Sequence, residues 1–261
     1  MRMADGRIAA ELPQYVISQP ITLAIILATF LLAGSVKGII GLGLPTISLA
    51  ILTVVLDLTS AMALLLIPSF VTNLWQGVVG GHFRMILRRL WAFLLIATVT
   101  VGIGGLALGS VDHRLLRIML GLLIIAYASV SLLGWRPSFS APQERRLGPV
   151  IGLLNGIFTG MTGSFVVPGV LYLNAIGLPR DALIQAMGIL FTLATTALAV
   201  TLGGNGLITI DLGLASLIGL PPAILGMVGG QWIRKRLSEK VFRKAFFSAL
   251  LALGLYIVAA S

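Results

Sequence analysis

One charged side chain, Lys37, lies inside a long apolar stretch of the sequence rather than at its edge. An ionisable residue within a hydrophobic segment is costly to bury and usually marks a functional site. The ammonium group could bind an anion, or it could extend to the membrane surface from a shallow hairpin tip. We favour contact with an anionic substrate.

The acidic residues are distributed differently, because all eight lie in the tails or in the gaps between apolar segments. A carrier of cations or amines would need a carboxylate within the membrane, so this distribution argues against such substrates. Export of an anion needs no buried proton relay, since the interior-negative potential favours it by about 2.3 kcal/mol per charge per 100 mV. The charge pattern therefore predicts a small anion as substrate.

The composition is that of a membrane protein. Of the 261 residues, 58% are apolar and 10% are charged, against about 45–50% and about 25% in soluble proteins. The chain has no cysteine and two histidines, so we predict no metal and no cofactor. We also expect no enzymatic activity, because no paired intramembrane carboxylates or metal-ligand cluster is visible. The basic residues behind the net charge of +10 lie in short gaps between the apolar segments. Signals that orient the chain in the membrane explain this distribution better than binding to nucleic acid does.

Two kinds of apolar segment must position Lys37. Six have close to the length that a helix needs to cross a bilayer, namely 60–81, 90–109, 115–135, 182–203, 212–233 and 245–260. Two further regions are interrupted near their middle by glycines and a polar residue, and each is predicted to form two short pieces. These pieces are 21–36 with 44–56, and 148–162 with 164–176. We expect the first pair to be too short to cross the bilayer comfortably.

The layout of the chain recurs. Gly34, Lys37 and Gly38 lie 118 residues before Gly152, Asn155 and Gly156, and three crossings follow each broken region. We therefore predict two repeats. The divisions are an N-terminal tail (1–19), a first repeat (20–135), a cytoplasmic linker (136–146) and a second repeat (147–261).

Lysine and arginine set the orientation, because they collect in cytoplasmic loops. The gaps rich in these residues are predicted to be cytoplasmic, namely 82–89, 136–146 and 234–244. The other gaps are predicted to be external, namely 57–59, 110–117 and 204–211. Each broken region must then start and end on one side, as a re-entrant hairpin or as two short crossings. The fold class predicted is an all-α integral membrane protein with two inverted-topology repeats, each a hairpin plus three transmembrane helices, and with both termini outward.

We expect the two hairpins to meet near the membrane midplane, where secondary transporters place their substrate. Free amides at a helix start and a glycine-rich turn suit an anion. The candidate substrate-binding residues are Lys37, Gly38, Gly41, Gly43, Thr46, Asn155, Gly160, Thr162, Gly163 and Ser164. Possible pathway-lining residues are Asn73, Gln76, Gln185 and Thr192. The amide side chains could instead hold helices together, and the hydroxyls could bond to their own backbone.

Four stretches of the sequence form a pattern that covers nearly the whole chain: GSVKGIIGLGLP at 34–45, GLLNGIFTGMTGSFVVP at 152–168, and the segments 76–84 and 229–243. In these stretches the chain resembles the TauE/SafE sulfite exporter family. The resemblance implies a bacterial inner-membrane permease for small anions, especially sulfite and organosulfonates.

These observations together predict a secondary transporter, an exporter that works by alternating access with substrate bound at the two hairpin tips. A passive anion channel and a non-transporting helical scaffold remain alternatives. The predicted partners are the anion and the lipid bilayer, with a homodimer permitted by the glycine-rich surfaces.

Overall fold

The computed structural model describes residues 19–135, 137–234, 236 and 238–261, so the predicted tail lies outside it except for its last residue. Within these residues the chain forms eleven α-helices and no β-strand, which confirms the all-helical class. The helices are α1 (Pro20–Ile40), α2 (Leu44–Val55), α3 (Leu58–Leu64), α4 (Leu66–Val78), α5 (Phe83–Gly105), α6 (His113–Leu133), α7 (Ala141–Thr162), α8 (Gly169–Ala175), α9 (Arg180–Gly204), α10 (Ile210–Arg234) and α11 (Glu239–Ala259). A 3₁₀ turn, Leu106–Gly109, follows α5.

Six of the described helices are long and apolar enough to cross a bilayer: α1, α5 with its 3₁₀ turn, α6, α9, α10 and α11. The last five correspond to predicted crossings, although α5 begins seven residues earlier than the predicted segment at 90–109. The remaining predicted crossing, 60–81, is not one straight helix. It is the pair α3 and α4, which are bent by 45° at Leu65 and would count as a seventh span if taken together.

Pro68 explains the bend. A proline has no backbone N–H, and its ring clashes with the carbonyl group four residues earlier, so a straight helix cannot continue. Ser216 of α10 satisfies the backbone groups that the bend leaves free. Its hydroxyl donates to Leu64 O at 2.8 Å and accepts from Ile67 N at 3.1 Å. The bend is therefore held in place by a neighbouring helix.

The first hairpin differs from its prediction in the length of its outgoing helix. The predicted piece 21–36 continues through Lys37 to Ile40 and forms a helix of 21 residues, so the expectation that it is too short to cross is wrong. The helix ends only at Gly41, whose φ of 81° is left-handed, a conformation typical of glycine after a helix. The return helix α2 starts at Leu44, as predicted.

The second hairpin is also longer on its outgoing side. Helix α7 begins at Ala141, inside the segment predicted as a linker (136–146). The Gln143 side chain accepts from the backbone N–H of Ser140 at 2.9 Å, as in a capping box, which stabilises this early start. The predicted return piece 164–176 contains only the short helix α8, and residues 163–168 are non-helical.

Glycines determine how the hairpins pack. A Cβ atom built on Gly38 of α1 would overlap Met227 O of α10, and one on Gly230 of α10 would overlap Ser35 O of α1. The outgoing helix of the second hairpin, α7, packs in the same way against α5, where a Cβ on Gly160 would overlap Val101 O. The first hairpin is therefore held by α10, the middle one of the three long helices that follow the second hairpin. The second hairpin is held by α5, the middle one of the three crossings that follow the first. The division into inverted repeats stays a prediction.

Candidate anion-binding site

Lys37 points into the protein. Its side chain is only 3% exposed, and its Nζ donates to Thr72 Oγ1 at 3.1 Å and to Asn73 Oδ1 of α4. The Thr72 hydroxyl donates to Pro68 O at 2.7 Å, so it can accept from the lysine. An ammonium group has three N–H donors, and these two bonds leave one for a further ligand. The ammonium is therefore buried rather than extended to the surface.

The charge of Lys37 has no carboxylate partner among the side chains that the structure describes. In that set, the buried Lys, Arg, Asp and Glu residues are Lys37 and Glu144, and Glu144 pairs with Arg89 at 2.7 Å. Burying a cation is costly unless it is paired and hydrogen-bonded. The neutral oxygens of Thr72 and Asn73 offset part of that cost, and an anion would offset more.

Several polar atoms near the first hairpin and on α4 are buried without a partner in the described part of the chain. Asn73 presents its Nδ2 as an unused donor, and the Ser69 hydroxyl, one helical turn earlier on α4, is also unpaired. The hydroxyls of Thr46 and Ser48 on α2 share this property. Because buried polar groups normally find partners, these atoms are candidates to bind a polar ligand.

Most of the glycine amides predicted to bind the anion are already engaged. Gly41 N donates to Lys37 O at 2.8 Å, and Gly163 N donates to Thr159 O at 2.7 Å, as in helix C-caps. Gly38 and Gly160 lie inside helices, against their neighbours. The prediction that the tip amides are free donors is therefore wrong at Gly41, Gly160 and Gly163. Gly43 remains, since it precedes the first turn of α2, where backbone amides lack partners within the helix.

The predicted residues of the second hairpin form a separate cluster. Asn155 Oδ1 accepts from Gly169 N at 2.8 Å, while its buried Nδ2 is unpaired. The single hydroxyl hydrogen of Thr159 is shared between Asn155 O at 2.7 Å and Ser164 O at 3.0 Å. Thr162 Oγ1 donates to Phe158 O at 2.7 Å and accepts from Ser164 N at 3.2 Å. These bonds fix the non-helical segment 163–168 against α7.

The two hairpins touch, but their tips are offset. The space beside Gly163 is filled by Leu49 of α2 and Met62 of α3, whereas Gly41 faces Ile184 of α9. Leu49 lies six residues beyond Gly43, which corresponds to about 9 Å of helix rise. The second tip therefore packs against the middle of α2, so the two hairpins are in contact although their glycine tips do not meet directly.

The predicted pathway residues make three kinds of contact. Asn73 binds Lys37, as described above. Gln76 Nε2 donates to Ile184 O at 2.8 Å, and Gln185 Nε2 donates to Gly77 O at 2.9 Å, so these two amides bond α4 to α9 reciprocally. Thr192 donates to Gly188 O of its own helix at 2.7 Å. The alternative that the glutamines hold helices together matches these contacts.

Sequence reasoning missed Thr72 and Ser69. A polar stripe was visible, because Ser69, Asn73 and Gln76 are spaced four and three residues apart on one helix, as residues on one helix face are. Hydroxyls in membrane helices usually bond to their own backbone, and Thr72 does so. Its second contact, the hydrogen bond that it accepts from Lys37, therefore could not be predicted from the sequence.

A second polar cluster ties the base of the second hairpin to α5. Arg89 donates to both carboxylate oxygens of Glu144, at 2.8 and 2.7 Å, and to Ile176 O at 2.7 Å. Tyr172 of α8 donates to Glu144 O at 3.2 Å. This cluster joins α5, α7 and the end of α8, and it was not predicted from the sequence.

Comparison with known families identifies the chain. The model of the sulfite exporter TauE/SafE family matches residues 26–257, a range that includes the tips of both hairpins and the Lys37 cluster. The chain belongs to this family. Comparisons with curated proteins and with solved structures gave no match. TauE/SafE proteins are membrane anion exporters, so the resemblance and the transporter class inferred from the sequence are confirmed. The long apolar helices are the candidate membrane-spanning segments.

Proposed function

We propose that this protein is a secondary transporter that exports a small oxyanion or sulfonate, such as sulfite, and that Lys37 binds the anion. The observation that carries the proposal is the burial of this lysine among neutral donors and acceptors, without a carboxylate among the described side chains. A desolvated anion requires donors to replace water. The ammonium and the unpaired Asn73 Nδ2 provide them together.

Alternating access is the mechanism we propose. Irregular backbone at membrane depth is tolerated where protein buries it or a cavity adjoins it, and broken hairpins at a repeat interface are common at transporter sites. The mutual packing of α1 with α10 and of α7 with α5 supports a motion in which each hairpin moves with the opposite half. Because the two tips are offset, the proposed site is centred on Lys37 of the first hairpin rather than shared equally by both tips.

The first test is transport by purified protein in liposomes. Radiolabelled sulfite and a small labelled sulfonate are offered outside, with unlabelled anion trapped inside and with an imposed potential. We expect saturable uptake that is accelerated by the trapped anion, because a carrier exchanges its substrate. Flux that neither saturates nor counter-exchanges would indicate a channel, and no flux of either anion would contradict the proposal.

The second test removes the charge. Lys37→Met keeps the length of the side chain and should lower anion flux by at least about tenfold, since losing one partner of a buried charged pair typically costs 2–5 kcal/mol or more. Lys244→Met on α11 is the control, because Lys244 is exposed. The assignment fails if Lys37→Met protein, folded in equal amount, transports like the wild type.

A further inference from the structure

An apolar groove lies between the first hairpin and α11. It has a volume of about 220 Å³, and the residues that line it are apolar. Val36 of α1 and Ile47 of α2 belong to this lining and are buried. Leu32 of α1 and Ala249 of α11 line it as well and are exposed, so the groove is open on its outer side.

The groove has the length of one leaflet of a bilayer. Its lining on α11 runs from Phe242 to Leu253, which corresponds to about 16 Å of helix rise. The hydrocarbon core of a bilayer is about 30 Å thick, so one leaflet contributes about 15 Å. An acyl chain that lies along α11 can therefore fill the groove from the membrane surface to the midplane.

The protein is strongly basic at the end of the groove where α11 begins. The segment 234–244, predicted to be cytoplasmic, contains six lysines and arginines and one acidic residue. Arg243 is exposed and precedes the groove residues Phe246 and Leu250 by three and seven positions, so it lies on the same face of α11, about one turn nearer the surface. Its guanidinium carbon is 5.7 Å from the centre of the Phe247 ring. A positive charge therefore lies near the surface end of the groove.

We propose that the groove binds an anionic phospholipid, with one acyl chain along α11 and the phosphate beside Arg243. Basic segments next to membrane helices attract anionic lipids, and a guanidinium group suits a phosphate. The lipid would pack against the hairpin that carries Lys37, because a Cβ atom built on Gly43 at its tip would lie 3.7 Å from Phe246 Cζ. This proposal goes beyond transport and does not depend on which anion is carried.

The first experiment tests the charge. The purified full chain in detergent is titrated with phosphatidylglycerol or phosphatidylcholine of identical acyl chains, and native mass spectrometry counts the bound lipids. We expect the anionic lipid to bind at a concentration at least about fivefold lower, since one basic residue near a membrane surface contributes about this factor. Arg243→Gln should weaken binding of phosphatidylglycerol by about fivefold. Lys244→Gln is the control, because Lys244 is exposed and lies two residues before Phe246, on the opposite face of α11.

The second experiment fills the groove. Ala249→Trp puts an indole ring where the acyl chain would lie and should weaken binding of phosphatidylglycerol by at least about tenfold. Ala252→Trp is the control, because Ala252 is exposed on the same helix and does not line the groove. Melting temperatures in detergent without added lipid show whether both variants fold.

Each outcome decides the proposal. Equal affinity of the wild type for the two lipids, or an unchanged affinity for phosphatidylglycerol in Arg243→Gln protein, would overturn the anionic headgroup. Unchanged affinity in folded Ala249→Trp protein would overturn the groove as the site. A wild-type dimer that Ala249→Trp converts to a monomer, with lipid binding unaltered, would show that a second copy of the chain occupies the groove instead. If Ala249→Trp protein does not fold, the comparison of Arg243→Gln with Lys244→Gln still decides.

Discussion

The Arg89 side chain connects several helices through its ion pair with Glu144 and a backbone contact. The guanidinium group binds both carboxylate oxygens and a backbone carbonyl, and the carboxylate is 9% exposed while the arginine side chain is 37% exposed. The Glu144 carboxylate is thus buried, whereas the Arg89 side chain is partly exposed. Removing the arginine would leave a buried carboxylate without its partner.

We therefore expect Arg89→Met to lower the free energy of unfolding by about 1–3 kcal/mol, an amount reduced by partial solvent screening. Thermal unfolding in detergent measures it. Arg88→Met is the matched control, because Arg88 is the adjacent arginine on the same helix and is exposed. Equal stability of the two variants would show that the ion pair contributes little.

At the scale of helices, the contact between α1 and α10 depends on glycine. The backbones approach so closely at Gly38 and Gly230 that a methyl group on either would overlap a carbonyl oxygen or backbone atom of the other helix. Such approaches are common where membrane helices pack without a hydrophobic driving force.

Two neighbouring glycines of α10 offer a direct comparison. Gly230→Ala should destabilise the protein by about 1–3 kcal/mol, because the two helices must move apart. Gly229→Ala should be neutral or stabilise it by up to about 1 kcal/mol, since nothing lies within 4 Å of the added methyl group and alanine favours helix. Melting temperatures in detergent compare them; equal values would mean that the helices are not in close contact in the membrane protein.

The length and composition of apolar segments were enough to locate five of the crossings, because these features are local. The end of α1 was misplaced for a tertiary reason. Gly38 lies in the predicted interruption after residue 36, but the backbone of α10 packs against it and the helix continues. Lys37 was found because a charge in an apolar run is visible without a structure. Its contact with Thr72 was not, because it depends on which helix lies beside α1.

At the scale of the whole molecule, the orientation in the membrane remains a prediction from lysine and arginine. The chain has no cysteine, so single cysteines can be placed without background. Ser110 and Ser138 are both exposed, and they lie in gaps predicted to be external and cytoplasmic respectively. A membrane-impermeant thiol reagent should label Ser110→Cys in intact cells and Ser138→Cys only after the membrane is opened. The reverse pattern would invert the topology.

The pairing of α1 with α10 also has a consequence for biosynthesis. A ribosome makes α1 well before α10, so the glycine face of the first hairpin stays without its partner while the helices between them are made. Helix α7 has no such delay, because α5 is already present when it emerges. The second hairpin can therefore pack against its partner as it is made, whereas the one that carries Lys37 reaches its final packing only after α10 has been made.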